Sequence, residues 1–179
     1  GKNLGVEEFF AFQSRVNGLC NNPADYASFY HLVNGKPVSH DRVHNLFGAN
    51  MTRAAGEAFA RLRPGRRTLL FSRASCVGAH RWGGIWLGDN CAWWDQLLQN
   101  LHQMPGAGMC GFLFAGADIG GFGCDTTPDL LLRWLEFGIF TPLLRNHAAL
   151  STREQECYRF EKQIPAFRRI LGIRYGLLP

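Results

Sequence analysis

Three short apolar runs each end on a polar or charged residue: Thr68–Phe71 followed by Ser72 and Arg73, Met109–Ala117 followed by Asp118, and Thr141–Leu144 followed by Arg145, Asn146 and His147. An uninterrupted apolar run of this length suits a strand buried on both faces of a parallel sheet. Helical stretches separate the runs. Ala92 to Met104 carries apolar residues at helical spacing, and Thr127-Pro128-Asp129 opens a helix to about Phe140, with the proline in the first turn where its missing N–H costs nothing. A last helix covers about Ile164 to Leu177. Alternation of this kind predicts an α/β fold around a parallel sheet. A doubly wound sheet fits the alternation as well. The polar strand ends favour a (β/α)₈ barrel, which gathers its chemistry at the carboxyl ends of several strands.

A complete barrel takes about 250 residues, and this chain has 179. The barrel reading therefore predicts an incomplete barrel. The start at Gly1-Lys2-Asn3 and the end within the apolar Leu177-Leu178-Pro179 agree with that expectation. Ahead of the first run, Val6, Phe9, Phe10, Gln13 and Val16 fall at helical spacing, and Asn34-Gly35-Lys36-Pro37 reads as a hairpin turn. Asp41 is placed to cap a helix from about Arg42 to Leu62, stopped by Pro64-Gly65.

Hydrophobic residues make up 46% of the chain, which excludes a disordered polypeptide. The net charge of +5 is spread along the sequence, with Arg61, Arg63, Arg66 and Arg67 as its one cluster, and no nucleic-acid motif accompanies it. No nucleic-acid partner is expected. Six cysteines without a C-x-x-C pair, in a chain with ample apolar core, point to free thiols and a reducing cytoplasm. No long apolar span or secretory leader is visible, so no membrane association is expected. Dinucleotide and P-loop glycine motifs, H-E-x-x-H and a nucleophile elbow are all missing, and no cofactor or metal is expected.

Asp89 stands out in Trp86-Leu87-Gly88-Asp89-Asn90. Gly88 permits a sharp backbone turn, and an indole wall from Trp86 would favour a protonated carboxyl able to act as a general acid. Read alone, the same residues also make an ordinary turn. Asp118 lies in Gly116-Ala117-Asp118-Ile119-Gly120-Gly121-Phe122, where glycines let backbone approach a ligand; its carboxylate could accept from sugar hydroxyls or pair with Arg73. Arg73 offers a planar fork and His147 a neutral donor and acceptor. Arg81, Arg145 and Asn146 are weaker candidates of the same kind. Trp86 and Phe122 could serve as aromatic walls, whereas Trp93 and Trp94 are expected in the core.

In order along the chain, Arg42-Val43-His44-Asn45-Leu46-Phe47-Gly48, Leu70-Phe71-Ser72-Arg73-Ala74-Ser75, Arg81-Trp82-Gly83-Gly84-Ile85-Trp86-Leu87-Gly88-Asp89-Asn90, Gly116–Phe122 and Leu144-Arg145-Asn146-His147 resemble the conserved segments of glycoside hydrolase family 31, the α-glucosidase and α-xylosidase family. The resemblance implies the carboxyl-terminal part of a TIM barrel, about strands 5 to 8, over residues 41–179, with residues 1–40 connecting from the preceding strand. It implies a retaining α-glycosidase acting on an oligosaccharide or α-glucoside, with Asp89 as general acid/base and Arg73, Trp86, Asp118, Phe122 and His147 around the sugar. The family's nucleophilic aspartate lies in a Trp-x-Asp-Met-Asn-Glu segment that this sequence does not contain, and Leu87 stands where many members carry threonine. A carbohydrate-binding fragment, or a transglycosylase or lyase on the same scaffold, is the alternative.

Overall fold

The structure is a computed structural model that describes residues 5–18 and 22–178. It divides into two compact units, Gly1–Phe47 and Gly48–Pro179, with the boundary inside one helix.

In the first unit, helix α1 (Val6–Asn17) occupies the stretch with helical spacing; the side chains of Phe9, Gln13 and Val16 lie outside the described residues. Asn22 caps the short α2 (Pro23–Ala27) by accepting from the Asp25 N–H at 3.0 Å. Strands β1 (Tyr30–Val33) and β2 (Lys36–Ser39) form an antiparallel hairpin. Its Asn34 and Gly35 both have positive φ, 51° and 76°, the backbone that a two-residue turn needs to match the strand twist. Helix α3 (His44–Leu62) starts later than the sequence suggests. Asp41 falls in a single 3₁₀ turn, His40–Arg42, and accepts from the Ser39 hydroxyl instead of capping the helix.

The second unit holds a parallel three-stranded sheet, β3 (Phe71–Ser72), β4 (Gly84–Trp86) and β5 (Ala115–Gly116), and a parallel pair, β6 (Asp118–Ile119) and β7 (Arg145–Asn146). Helices α4 (Trp94–Met109), α5 (Pro128–Gly138) and α6 (Ile164–Leu177) accompany them. Thr127 caps α5 as its position before proline predicts, accepting from the Leu130 N–H at 3.2 Å. On α5, Leu130, Leu131, Trp134, Leu135 and Gly138 are all buried, a helical stripe that packs against Ile119 of β6 and against Phe167 and Ile170 of α6. A Cβ on Gly138 would come within 2.5 Å of the Ile119 Cδ1, so helix and strand pack closely here.

Several sequence expectations change. The three apolar runs carry much shorter strands than predicted. Met109 completes α4, and β5 begins only at Ala115. Leu143 contributes one backbone bond to Ala115 before β7 starts at Arg145. Leu69 is 65% exposed and lies ahead of β3, which begins only at Phe71. Strand β4 is not legible in the sequence. Its glycines conceal the apolar pattern, yet Gly84 is required by packing: a Cβ there would meet the Phe114 Cβ and the Phe71 ring at 2.8 Å. Trp93 and Trp94 are each 55% exposed, not core, because they sit at the start of α4, ahead of its buried positions Leu97 and Asn100. Among the described residues, no helix is long and apolar enough to cross a membrane.

Candidate active site

The parallel registers bring the polar strand ends together. Phe71 pairs with Gly84 and Ser72 with Ile85, so Arg73 leaves β3 beside the end of β4 at Trp86. Trp86 pairs with Gly116, which puts Asp118 next along the chain on the far side. Asp118 pairs with Arg145 directly. Paired residues of neighbouring strands point to the same face, and this register produces the central ion pair of the site.

Arg145 donates to the Asp118 Oδ1 from Nη2 at 2.6 Å and from Nε at 3.1 Å. The Trp86 indole N–H donates to the same oxygen at 2.8 Å. Asp118 is fully buried, and its main-chain carbonyl accepts from the Asn90 amide at 3.0 Å. The other carboxylate oxygen, Oδ2, faces Gly88 and has no donor among the described residues. A Cβ on Gly88 would stand 2.7 Å from that oxygen and overlap the Trp86 ring. Gly88 is therefore fixed by close approach, beyond any need to turn the chain.

Asp89 points the other way, to solvent. Arg73 grips it with two bonds, Nη1 to Oδ2 at 3.1 Å and Nη2 to Oδ1 at 3.4 Å, and the two side chains are 63% and 42% exposed. The Arg73 guanidinium also lies over the Trp86 ring at 4.2 Å, and that of Arg145 at 5.3 Å. Trp86 thus carries two cations on its ring and an anion at its N–H. This replaces the expected arrangement in two respects. Asp89 shares the cavity with the Trp86 indole and is in addition gripped by a cation. Arg73 pairs with Asp89, leaving Asp118 to Arg145, because the register of β6 and β7 puts Arg145 in contact.

Phe122 and His147 stack with ring centroids 5.4 Å apart and planes 27° from parallel. The Ala149 N–H donates to the Phe122 carbonyl at 2.8 Å and ties the two loops. Gln155 reinforces them from behind: its side-chain amide donates to the carbonyls of Ile119, Gly121 and His147 at 3.1–3.2 Å. Gln155 carries no sequence signal, being one polar residue in a loop, and only the fold shows what it braces.

These groups enclose an open cavity of about 490 Å³ lined by Phe71, Ser72, Arg73, Trp86, Asp89, Phe122, Leu143, Arg145 and His147. Of the residues singled out in the sequence, Arg73, Trp86, Asp89, Phe122 and His147 line it. Asp118 does not; it lies beneath the Trp86 and Arg145 side chains. Arg145, ranked lower by sequence, takes its place on the wall. Arg81 lies on a different cavity with Arg67, His80 and Trp82. Among the described residues, no group of His, Cys, Asp and Glu is arranged to hold a metal ion. An open pocket with a carboxylate, two guanidinium groups, an imidazole and two aromatic faces suits a polyhydroxylated ring: hydroxyls find charged partners and C–H faces find aromatic ones.

Known proteins share this framework. Residues 8–179 match the family described as the glycosyl hydrolases family 31 TIM-barrel domain. The chain is 37% identical over 177 residues to α-glucosidase 2 of Bacillus thermoamyloliquefaciens, covering 98% of this chain and 22% of that protein. Its structure superposes on a family 31 α-glucosidase from Bacteroides thetaiotaomicron with a TM-score of 0.73 at 35% identity, over 80% of this chain and 24% of that one. It superposes on a family 31 dextranase from Flavobacterium johnsoniae, solved with isomaltotriose, with a TM-score of 0.76 at 26% identity, over 89% of this chain and 21% of that one. The chain thus spans about a fifth of the length of these relatives. By sequence and by the arrangement of its strand ends, the chain belongs to glycoside hydrolase family 31 and lies within that family's TIM-barrel domain.

Proposed function

We propose that this chain supplies about strands 5 to 8 of the barrel of a retaining α-glycosidase that cleaves terminal α-glucosidic or related bonds in oligosaccharides. Residues 1–40 would connect from the preceding strand, and the nucleophilic carboxylate would come from outside this chain. The observation that carries the reading is Asp89, the only carboxylate on the cavity wall among the described residues.

In this reading Asp89 protonates the glycosidic oxygen as the external carboxylate attacks the anomeric carbon. It then takes a proton from the water that releases the sugar. Retention requires the two carboxyl groups to stand about 5–5.5 Å apart. Arg73 holds both Asp89 oxygens, so the substrate must part that pair to reach the carboxyl. Transfer of the guanidinium to sugar hydroxyls would do this. Arg145, held by Asp118, and His147, held by its stack on Phe122, would contact further hydroxyls. Trp86 and Phe122 would cover ring faces. Asp118 then acts as a positioning residue for Trp86 and Arg145.

The full-length protein carrying Asp89→Asn tests the assignment. General acid–base help is worth roughly 10²–10⁴-fold. A loss of that order is expected with an oligosaccharide, whose leaving group needs a proton. Release of an activated nitrophenol should change little in the first step. An equal loss on both substrates would remove Asp89 from the proton-donor role. Sugar binding by calorimetry without turnover of either substrate, in the unmutated protein, would replace the glycosidase reading with a binding one.

A further inference from the structure

Directly after the Asp89 segment, Cys91 forms an isolated parallel bridge with Gly123, the residue before Cys124. The junction is tight: the Ala92 N–H donates to the Gly123 carbonyl at 2.7 Å, and the N–H groups of Phe122 and Gly123 donate to the Asn90 carbonyl at 2.6 and 3.1 Å. The Cys91 sulfur lies 3.4 Å from where a Gly123 Cβ would stand. Cys124 has left-handed backbone, φ 65°, an unfavourable conformation for a residue with a side chain. The Cys124 thiol is the near neighbour that acts on the Cys91 thiol, and both are free.

We infer that Cys91 and Cys124 are a redox modification site, a thiol pair that exchanges reversibly with small-molecule disulfides to form a bond between the Asp89 segment and the Phe122 loop. The bridge sets Cys91 beside Gly123, one residue from Cys124, so the two cysteines are neighbours across the junction before any bond forms, as a disulfide requires. Access assigns the order of events. Cys124 is exposed and meets the reagent first, while Cys91 is half-buried. Burial, then the neighbouring Cys124, raise the Cys91 thiol above its ordinary value, which suits it to the second, resolving step. With glutathione disulfide, the Cys124 thiolate attacks one glutathione sulfur, breaks that S–S bond and releases one glutathione. The Cys91 thiolate then attacks the Cys124 sulfur, breaks the mixed disulfide and releases the second. The protein loses two electrons and its two thiol protons, and one glutathione disulfide becomes two glutathione thiols. Cys91 is two residues from Asp89, and Cys124 two from Phe122, so the bond would staple two walls of the cavity to each other.

The full-length protein, equilibrated in glutathione buffers, trapped by alkylation and mapped by peptide mass spectrometry, tests this without reference to turnover. Alkylation of Cys91 and Cys124 should disappear together and return on reduction, with one cross-linked peptide joining them. The equally exposed Cys110 should take glutathione alone. At a fixed ratio of thiol to disulfide, raising total glutathione tenfold should shift an intramolecular bond about tenfold toward the reduced form and leave a mixed disulfide unchanged. In Cys91→Ser, Cys124 should stop at the glutathione adduct. If the unmutated protein shows glutathione on Cys124 with Cys91 still open to alkylation, or a cross-link between other cysteines, the inference is overturned, whether or not the variant folds.

Discussion

Two carboxylates stand near the strand ends of one site and are held in opposite ways. Asp118 is buried, with three donor contacts on one oxygen from Trp86 and Arg145. Asp89 is exposed and has a single partner, Arg73, which is itself exposed. The first arrangement fixes geometry and resists exchange with solvent. The second leaves a carboxyl that a ligand can free by drawing one guanidinium away. A site for proton transfer needs both kinds: a rigid frame that sets distances and one group loose enough to change partners.

The sharpest way to break the contrast is to remove the buried partner. Asp118→Ala strands Arg145 and the Trp86 N–H, and loss of one partner of a buried pair costs about 3–5 kcal/mol. The value should fall toward the lower end, since Arg145 is 44% exposed. Urea unfolding of the full-length protein reads it; a loss below about 1 kcal/mol would show that Asp118 does not organise the site. Gly88→Ala comes next. Its methyl overlaps Trp86 and crowds the Asp118 Oδ2, a misfit of the overpacking kind worth about 1–3 kcal/mol. Because the methyl pushes the indole off its hydrogen bond, activity should fall as well. Unchanged stability and activity would mean that Trp86 has another place to go.

Arg73→Ala should matter less to the fold and most to the comparison. An exposed pair contributes about 0–1 kcal/mol, so unfolding should scarcely move while turnover drops. If stability falls as far as in Asp118→Ala, the two carboxylates are not differently held and the contrast fails.

In the first unit, the hairpin region offers a further case. His40 lies between the His31 Nε2 at 2.7 Å and the His44 Nδ1 at 3.0 Å. Burial, then His31 and His44, hold its pKa below the ordinary histidine value, and Asp41 only partly offsets them. The unfolded chain therefore takes up the proton first as pH falls. The stabilising contribution of neutral His40 is present above about pH 6.5 and declines as pH drops below it. The effect should be the smallest of the four. His40→Gln should flatten the pH dependence of unfolding measured between mildly acidic and neutral conditions; an unchanged slope would assign it to other groups.

The sequence made the ring of strand-end residues legible because one rule, apolar run then polar end, found Arg73, Asp118 and His147 in separate stretches. It also paired the wrong charges. Arg73 with Asp118 looks reasonable along the chain, but parallel registers set across 27 residues decide that Arg145 faces Asp118 and leave Arg73 to Asp89. Strand lengths were overestimated for a related reason: an apolar run records burial, and Met109 to Phe114 serves a helix end and a loop as well as the approach to β5. Trp93 and Trp94 show the converse error, since aromatic character at the start of a helix does not say which face is covered. Thr127 and the Asn34-Gly35 turn were readable because caps and tight turns depend on neighbours two or three residues away.

The position of Trp86 has one more consequence. An indole with guanidinium groups 4.2 and 5.3 Å from its ring, and a carboxylate on its N–H, sits in a strong local field. Its excited state should shift in energy when either cation moves. The residue the site uses as a wall is therefore also its optical gauge. Arrival of a sugar that pulls Arg73 away would register as a change in tryptophan emission, and the difference between the unmutated protein and Trp86→Phe would isolate that signal from the other four indoles.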